Sequence, residues 1–477
     1  MNQLLVQTKQ NPARVLLICA LALALLAVSL FASTVVLLGI VALAALALVV
    51  WKPRLGLALL PFALFFEADQ FSLTLPFGRV RLYHLLIVLL ALRVLLDLAR
   101  GKIQWRSTPL DLPLALYVLV NWAAVWVAPV QGIALKIAGL ITLLAFLYWS
   151  ITQLIRTKKD FLHYTRLLLS ATVAIALYGL FQVFAVWFAS RFEVTLWSGV
   201  VIHSDVIPYG RPYGTFVEPD WFGTIMAAAL VGVGLLSFAK AFKNRQVELL
   251  GISGILLVAT VLSAVRGGWL AAIVAVPVLL VFNHKKLKLL DASTLPALLV
   301  TVAVVSVAVL AVTPAVRHAL TDRVATLTTP STLEVEPRFL IMQDGWQLFR
   351  KHPAIGRGPG AYTTLGTLPF VRPMTAAIYG IENFQTNAFL TVLIDTGLIG
   401  LVLALLLLWR LIKTLWQALT KTLTSDPQVR AVLFCLAGAG LTLLLGYQVS
   451  TGMWLGLTWY LVSLIIVGSL IEHSSTK

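Results

Sequence analysis

Apolar runs long enough to cross a lipid bilayer recur along almost the whole of this 477-residue chain. A helix needs roughly 20 predominantly apolar residues to span the hydrocarbon core, where unpaired backbone groups find no water. Hydrophobic residues make up 60% of the sequence and charged residues only 12%, which is far from the balance of a soluble domain. The sequence therefore predicts an all-α polytopic transmembrane helix bundle that forms one integral membrane domain over residues 1–477.

Fourteen candidate spans follow from the apolar runs. They cover residues 15–32, 34–51, 55–66, 82–99, 109–129, 132–155, 167–189, 215–239, 247–264, 268–283, 296–312, 386–409, 431–448 and 454–471. The runs at 55–66 and 268–283 are short for a full crossing, so twelve to fourteen spans are expected. The first run resembles a secretory signal, but its length and the span directly after it favour a retained helix.

Clusters of lysine and arginine punctuate the spans. The clusters that share one side are Lys52 and Arg54; Arg100, Lys102 and Arg106; Arg156, Lys158, Lys159 and Arg166; Lys240, Lys243 and Arg245; Lys285, Lys286 and Lys288; and Arg410, Lys413, Lys421 and Arg430. Because short cytoplasmic loops retain positive charge, this side is predicted to be cytoplasmic, with both termini on it, in a cell (inner) membrane. The net charge of +17 is spread between spans and does not indicate nucleic-acid binding. The same register places the loops 190–214 and 314–384 outside.

Two arginines lie on the side that this rule keeps poor in positive charge. Arg266 stands between two apolar runs, beside two glycines, and Arg211 precedes a span that carries Glu218 and Asp220. Snorkelling of the side chain to the membrane interface is one explanation for such a residue. Binding of a ligand is the other, because adjacent glycines let a backbone or a ligand approach closely.

Arginine is well suited to a phosphate ligand. Its planar fork binds phosphate bidentately and stays ionised, so several arginines can neutralise a diphosphate leaving group without a metal. A lipid-linked diphosphate would place its tail in the bilayer, its phosphates at the arginines and its sugar outside. Cys19 and Cys435 both fall in apolar runs, and the sequence has no His or carboxylate cluster at metal-ligand spacing, so neither a metal nor a cofactor is predicted.

The outer loop 314–384 contains an amphipathic pattern from Arg338 to Lys351. Its apolar residues are spaced as on one face of a helix: Phe339, Met342, Trp346 and Phe349. We expect this helix to lie across the mouth of the bundle.

A glycine-rich turn follows this helix. Pro353 ends the helix, and the backbone amides of a turn containing Gly356, Gly358 and Gly360 could face an anion. The other interpretation, which is favoured, is a turn that only terminates the helix and binds no anion.

Four motifs occur in order between Arg211 and Leu401: GTFVEPDWFGTIMAAAL, SAVRGGWLA, RFLIMQDGWQLFRKHPAIGRGPGAY and TNAFLTVLIDTGLIGL. Together with the topology, they resemble the superfamily of O-antigen ligases and O-antigen polymerases, which are membrane glycosyltransferases. The resemblance implies a metal-independent, inverting transfer of a glycan from a polyprenyl diphosphate carrier to an acceptor hydroxyl on the outer face of the membrane. It also implies diphosphate binding by Arg211 and Arg266, with Arg338 as a further candidate.

The sequence departs from this family at one position. Family ligases commonly carry a His-Asn pair at the start of the span after the loop, and here the pair reads Thr386 and Asn387. Threonine is not an ordinary general base near neutral pH. Glu382, four residues earlier, is the nearest replacement, because a partly desolvated carboxylate could accept the hydroxyl proton. His352 is a second candidate, although it could equally be a helix-end residue before Pro353.

Two functions remain open within the superfamily. The chain could be a ligase that moves a finished polymer or a polymerase that joins repeat units, and the missing histidine tilts the prediction towards a polymerase. The partners implied are a polyprenyl-diphosphate-linked glycan donor, a glycan or lipid-glycan acceptor and membrane lipid. A transporter or flippase of lipid-linked oligosaccharides is the alternative from another class, although the sequence shows neither an obvious repeat between halves nor many charges within its spans.

Overall fold

The computed structural model describes residues 52–68, 72–75, 78–192, 211–283, 287, 289–290, 337–365, 387–420, 426–450 and 452–474. The chain divides into two compact units, residues 1–56 and 57–477. The first unit falls almost wholly outside the described residues, as do the predicted spans 15–32, 34–51 and 296–312. Everything that follows concerns the second unit, apart from the start of its first helix at Pro53.

The described part of the chain is built from helices, which confirms the predicted all-α bundle. The α-helices are α1 (Pro53–Ala63), α2 (Leu82–Ala99), α3 (Asp111–Ala124), α4 (Gln131–Leu154), α5 (Lys158–Phe192), α6 (Pro219–Ser237), α7 (Gln246–Leu262), α8 (Arg266–Phe282), α9 (Pro337–Lys351), α10 (Tyr362–Leu365), α11 (Ala388–Thr420), α12 (Pro427–Gly446) and α13 (Gly456–Ser474). Short 3-10 turns cover Val125–Val127, Lys240–Arg245 and Gly452–Trp454. An antiparallel hairpin of β1 (Ser72–Leu75) and β2 (Gly78–Arg81) precedes α2.

Eleven of the fourteen predicted spans fall within these ranges, and each corresponds to a helix. Within the described ranges, seven helices are long and apolar enough to cross a membrane: α2, α4, α5, α6, α7 with its preceding 3-10 turn, α11 and α12. Four shorter apolar segments, α1, α3 with its following 3-10 turn, α8 and α13, account for the others. The pattern indicates a multi-pass membrane protein.

Helix α6 is the central helix of the second half of the bundle. It packs against α7, α8 and α12, and most of its residues are buried. Small residues make this close packing possible, because a Cβ on Gly232 would lie 3.1 Å from the carbonyl oxygen of Cys435 on α12. The other half is organised around α4, which packs against α2, α3 and α13, while α11 packs against α3 and α13.

Helix α11 is broken at Gly397, which has a φ of 64° and a ψ of −159°. The break admits the turn that follows α9, whose carbonyl groups at Pro353 and Ala354 accept hydrogen bonds from the Leu398 amide at 2.8 Å and the Ile399 amide at 3.3 Å. A Cβ on Gly397 would lie only 2.4 Å from the Ala354 oxygen. The predicted span 386–409 is therefore two helical segments, joined where another backbone enters.

Candidate functional site at the mouth of the bundle

Four helix ends meet at one end of the bundle. The Nδ2 of Asn387, just before α11, donates to the Gln448 carbonyl oxygen beyond α12 at 3.1 Å, and the Ala388 amide donates to the Tyr447 oxygen at 2.9 Å. A Cβ on Gly267, at the start of α8, would lie 2.5 Å from Val449 Cγ2. We call this end, formed by the starts of α6, α8 and α11 and the end of α12, the mouth.

Arg211 is fixed at the mouth by two hydrogen bonds. Its Nε donates to the Ser263 carbonyl oxygen at 2.9 Å, and its Nη2 donates to Asp220 Oδ1 at 2.8 Å. The two side chains of this ion pair are 18% and 16% exposed. Because a charge-assisted hydrogen bond in partial shelter from water is stronger than a surface pair, the guanidinium is held in one orientation.

The acceptor of the first bond belongs to the elbow between α7 and α8, which consists of Ser263, Ala264 and Val265. Ala264 has a φ of 52°, and among the residues that the structure describes it is the only non-glycine residue with a positive φ. Such a backbone costs on the order of 1–3 kcal/mol and tends to occur at functional sites. Arg266 is the first residue of α8, directly after the elbow. The structure thus brings Arg211 to the segment that positions Arg266.

A small residue on α6 makes room for the elbow. A Cβ on Gly223 would lie 2.4 Å from both Ser263 Oγ and Val265 Cγ2, so the elbow packs directly on the first turns of α6. Gly268 serves the same purpose one turn into α8, where a Cβ would lie 3.2 Å from the Gly223 oxygen. The motifs that contain Asp220 and Arg266, distant in sequence, therefore form one packed unit.

The segment that carries Arg211 is also fixed from two other sides. The side chain of Gln182 on α5 accepts from the Gly214 amide at 2.8 Å and donates to the Gly214 oxygen at 3.0 Å. The amides of Glu67 and Ala68, after α1, donate to the Thr215 oxygen at 3.0 and 2.9 Å. Burial also raises the pKa of the Tyr213 hydroxyl, so this phenol stays neutral.

Glu67 and Arg81 form a second ion pair in the same region. Glu67 Oε2 lies 3.1 Å from Arg81 Nε, and the carboxylate is almost fully buried. Burial raises the pKa of Glu67, while the positive charge of Arg81 offsets part of this shift. This pair was not predicted, although the sequence carries a signal for it: Arg79 and Arg81 fall between the predicted spans 55–66 and 82–99, on the side expected to be poor in positive charge.

Helix α9 packs against the first half of α11. The predicted apolar face of α9 is only partly right. Ile341, Leu348 and Phe349 are buried against α10 and α11. Phe339 and Trp346 are 46% and 50% exposed. Apolar residues occur on both sides of this helix, so the 3-4 spacing alone could not identify the buried side.

The glycine turn binds to α11. The amides of Arg357 and Gly358 donate to the carbonyl oxygens of Ile394 at 2.7 Å and of Asp395 at 2.9 Å, and the Gly360 amide donates to Asp395 Oδ1 at 3.0 Å. These donors are used within the fold, so the idea that they face an external anion is wrong. The alternative, a turn that terminates the helix, describes the structure.

The other residues that the sequence singled out lie at helix ends or outside the described residues. The His352 amide donates to the Phe349 oxygen at 3.0 Å and its carbonyl accepts from Gly356, so its backbone completes the turn, and its side chain is exposed. Arg338 is the second residue of α9. Glu382 and Thr386 lie outside the described residues. Asn387 accepts at Oδ1 from the Leu390 amide at 2.9 Å, which caps α11.

Arg211 is fixed between helix ends at the mouth, and Arg266 begins the adjoining helix α8. The structure therefore defines a multi-pass membrane protein with a polar site between helix ends. Residues 251–405 of the chain match a family model described as O-antigen ligase. This match extends from α7 to the middle of α11, and it supports the resemblance to the O-antigen ligase superfamily that the four motifs indicated. It supports a membrane enzyme in cell-surface polysaccharide biosynthesis. A search of curated proteins found no match.

Proposed function

We propose that this protein transfers a glycan from a polyprenyl diphosphate carrier to an acceptor hydroxyl on the outer face of the cell membrane, by a metal-independent, inverting reaction. One observation carries the proposal: Arg211 is hydrogen-bonded to the elbow from which Arg266 projects. Two guanidinium groups on neighbouring, rigid segments suit the two phosphates of one diphosphate.

Asp220 prepares Arg211 for this ligand. The ion pair orients the planar guanidinium before the donor binds. A diphosphate carries more charge than one carboxylate and would bind both arginines, so it is the stronger partner. Preorganised charges of this kind stabilise the negative charge that develops as the leaving group departs.

The proposed reaction is a single displacement. The acceptor oxygen attacks the anomeric carbon, the bond between that carbon and the phosphate oxygen breaks, and the polyprenyl diphosphate leaves with the electron pair. The hydroxyl proton passes to a base on the acceptor side. Because attack and departure occur on opposite faces, the anomeric configuration inverts.

We assign the base to Glu382, with His352 as the second candidate. We expect Glu382→Gln to lower transfer about 100-fold or more, since general-base catalysis contributes roughly 10²–10⁴-fold. The low-pH decline of transfer in the native enzyme should disappear in this variant, because the decline reports protonation of the carboxylate. Initial rates between pH 4 and 9, with purified protein and lipid-linked donor, measure both effects.

His352→Gln is the matched comparison, because it removes the other candidate base from the same loop without greatly changing the size of the side chain. If Glu382→Gln transfers at the native rate with the native pH profile, Glu382 is not the base. If His352→Gln instead loses transfer and the low-pH decline, His352 is the general base.

The glycan profile of a deletion strain tests the function. Loss of a ligase should leave long polymer on its carrier, whereas loss of a polymerase should leave single repeat units on the outer side of the membrane. We favour the polymerase outcome, because Thr386 replaces the histidine that family ligases commonly carry. Single units stranded on the cytoplasmic side would instead indicate a flippase, and an unchanged profile would exclude all three functions.

A further inference from the structure

A partly open cavity of about 150 Å³ lies between α5, α6, α12 and α13, away from the mouth residues described above. Its wall is formed mainly by aliphatic side chains, among them Leu169 on α5, Val233 on α6, Leu436 on α12 and Leu461 on α13. Ala229 on α6 contributes a small side chain to this wall. The wall therefore has the chemistry of a slot for a hydrocarbon chain.

The polar side chains in the wall do not make the cavity a site for water molecules. Thr165 and Thr172 both line the cavity, but each hydroxyl donates to a carbonyl oxygen of its own helix, at 2.8 Å to Phe161 and 2.8 Å to Leu168. A water molecule in a cavity needs two to four polar partners, and an apolar cavity of this size stays dry unless an apolar guest enters.

One arginine stands at an end of the cavity. Arg166 lines it, is exposed, and directly precedes the apolar run of α5. None of the ion pairs found in the described ranges involves Arg166. Phe242, in the basic 3-10 turn Lys240–Arg245, also lines the cavity. This end is thus opposite to the mouth, because α6 runs from Asp220 at the mouth towards that turn.

We propose that the cavity binds one acyl chain of an anionic phospholipid, whose phosphate pairs with Arg166. A cation at the end of an apolar run calls for an anionic partner at headgroup depth, and basic pockets between transmembrane helices bind anionic headgroups. The glycan donor is the less suitable occupant, since its diphosphate would lie at Arg211 and Arg266, at the opposite end. Lipid binding itself does not require transferase activity, and only the preference for a phospholipid over the donor rests on the proposed function.

Native mass spectrometry of the full-length protein, released from nanodiscs of phosphatidylethanolamine and phosphatidylglycerol, tests this site. We expect one phosphatidylglycerol to stay bound in preference to phosphatidylethanolamine. Arg166→Gln should weaken this preference roughly fivefold, the effect of losing one basic residue near the membrane surface. Lys159→Gln is the matched control, because Lys159 is exposed on the same helix and does not line the cavity.

Ala229→Phe fills the slot without changing any charge, and it should reduce binding of the retained lipid. Equal losses in Arg166→Gln and Lys159→Gln would show a general surface-charge effect and overturn the site. Retention of the lipid by a folded Ala229→Phe variant would show that the chain lies elsewhere. Displacement of the lipid by one equivalent of polyprenyl phosphate would assign the cavity to the donor and also refute the proposal. If Ala229→Phe does not fold, the two charge variants still decide the question.

Discussion

Replacement of either arginine at the mouth should abolish glycan transfer while the protein still inserts and accumulates. We expect Arg211→Ala and Arg266→Ala each to lower transfer about 100-fold or more, since one lost electrostatic contact to a developing anion costs roughly 3–4 kcal/mol in the transition state. The double variant should be little worse than the single ones, because both groups act on one diphosphate. Transfer rates of purified variants, with donor in excess, measure the effect.

Arg350→Ala is the matched control. Arg350 lies in the last turn of α9 and is exposed, so its loss removes the same charge without touching the mouth. Its transfer rate should stay close to the native rate. Near-native transfer in Arg211→Ala or Arg266→Ala, at normal protein levels, would refute diphosphate binding by that residue.

Lysine variants separate charge from geometry. Arg211 bonds Ser263 and Asp220 through two different nitrogens, and the single ammonium of Arg211→Lys cannot reproduce that planar fork. We therefore expect the lysine variant to regain only part of the lost transfer. Full recovery would mean that positive charge alone is needed at this position.

Hydropathy and charge were enough to predict most of the bundle. Each predicted span that the structure describes is a helix, because a helix in lipid satisfies its own backbone and its signal is local in sequence. The break in α11 could not be predicted in the same way. DTGLIGL is apolar enough to pass for an uninterrupted span, and the cause of the break, the backbone at Ala354, is far away in sequence.

Residues of the site could be predicted from the sequence, but the hydrogen bonds and packing contacts between them could not. Arg211 and Arg266 stood out because they break the charge rule, which is a property of single positions. The hydrogen bond from Arg211 to Ser263 and the positive φ of Ala264 depend on how α6 packs against the α7–α8 elbow. Asp220 was visible in the motif, but nothing in the sequence showed that it faces Arg211.

The glycine turn bonds to α11 in the structure, whereas its sequence left open the binding of an anion. Its amides donate to the Ile394 and Asp395 carbonyl oxygens and to the Asp395 side chain, and thereby connect the segment after α9 to the first part of α11. Asp395 is nearly fully buried, and the Gly360 amide satisfies its Oδ1 from within the fold. We infer that the turn sets the position of α9 relative to the mouth rather than binding substrate.

Gly356→Ala should therefore be strongly destabilising. Gly356 has a φ of 70°, and a Cβ there would lie 2.6 Å from both the Asp395 carbonyl carbon and the Thr396 amide nitrogen. Both neighbours are backbone atoms of α11 and cannot rotate away, so backbone strain adds to the clash and the loss should be about 3 kcal/mol or more. Gly397→Ala should act similarly, because its Cβ would meet the Ala354 oxygen from the other side. We expect the apparent Tm of the detergent-solubilised protein to fall by about 3 °C or more in each variant.

Gly254→Ala provides the control for this substitution. Gly254 lies inside α7, and no atom lies within 4 Å of its added Cβ, so the alanine should leave the Tm unchanged or raise it slightly. Both kinds of variant make the same chemical change and differ in what the new methyl group meets and in the φ of the glycine that it replaces. Equal Tm values for Gly356→Ala and Gly254→Ala would therefore show that the turn does not pack into the break of α11.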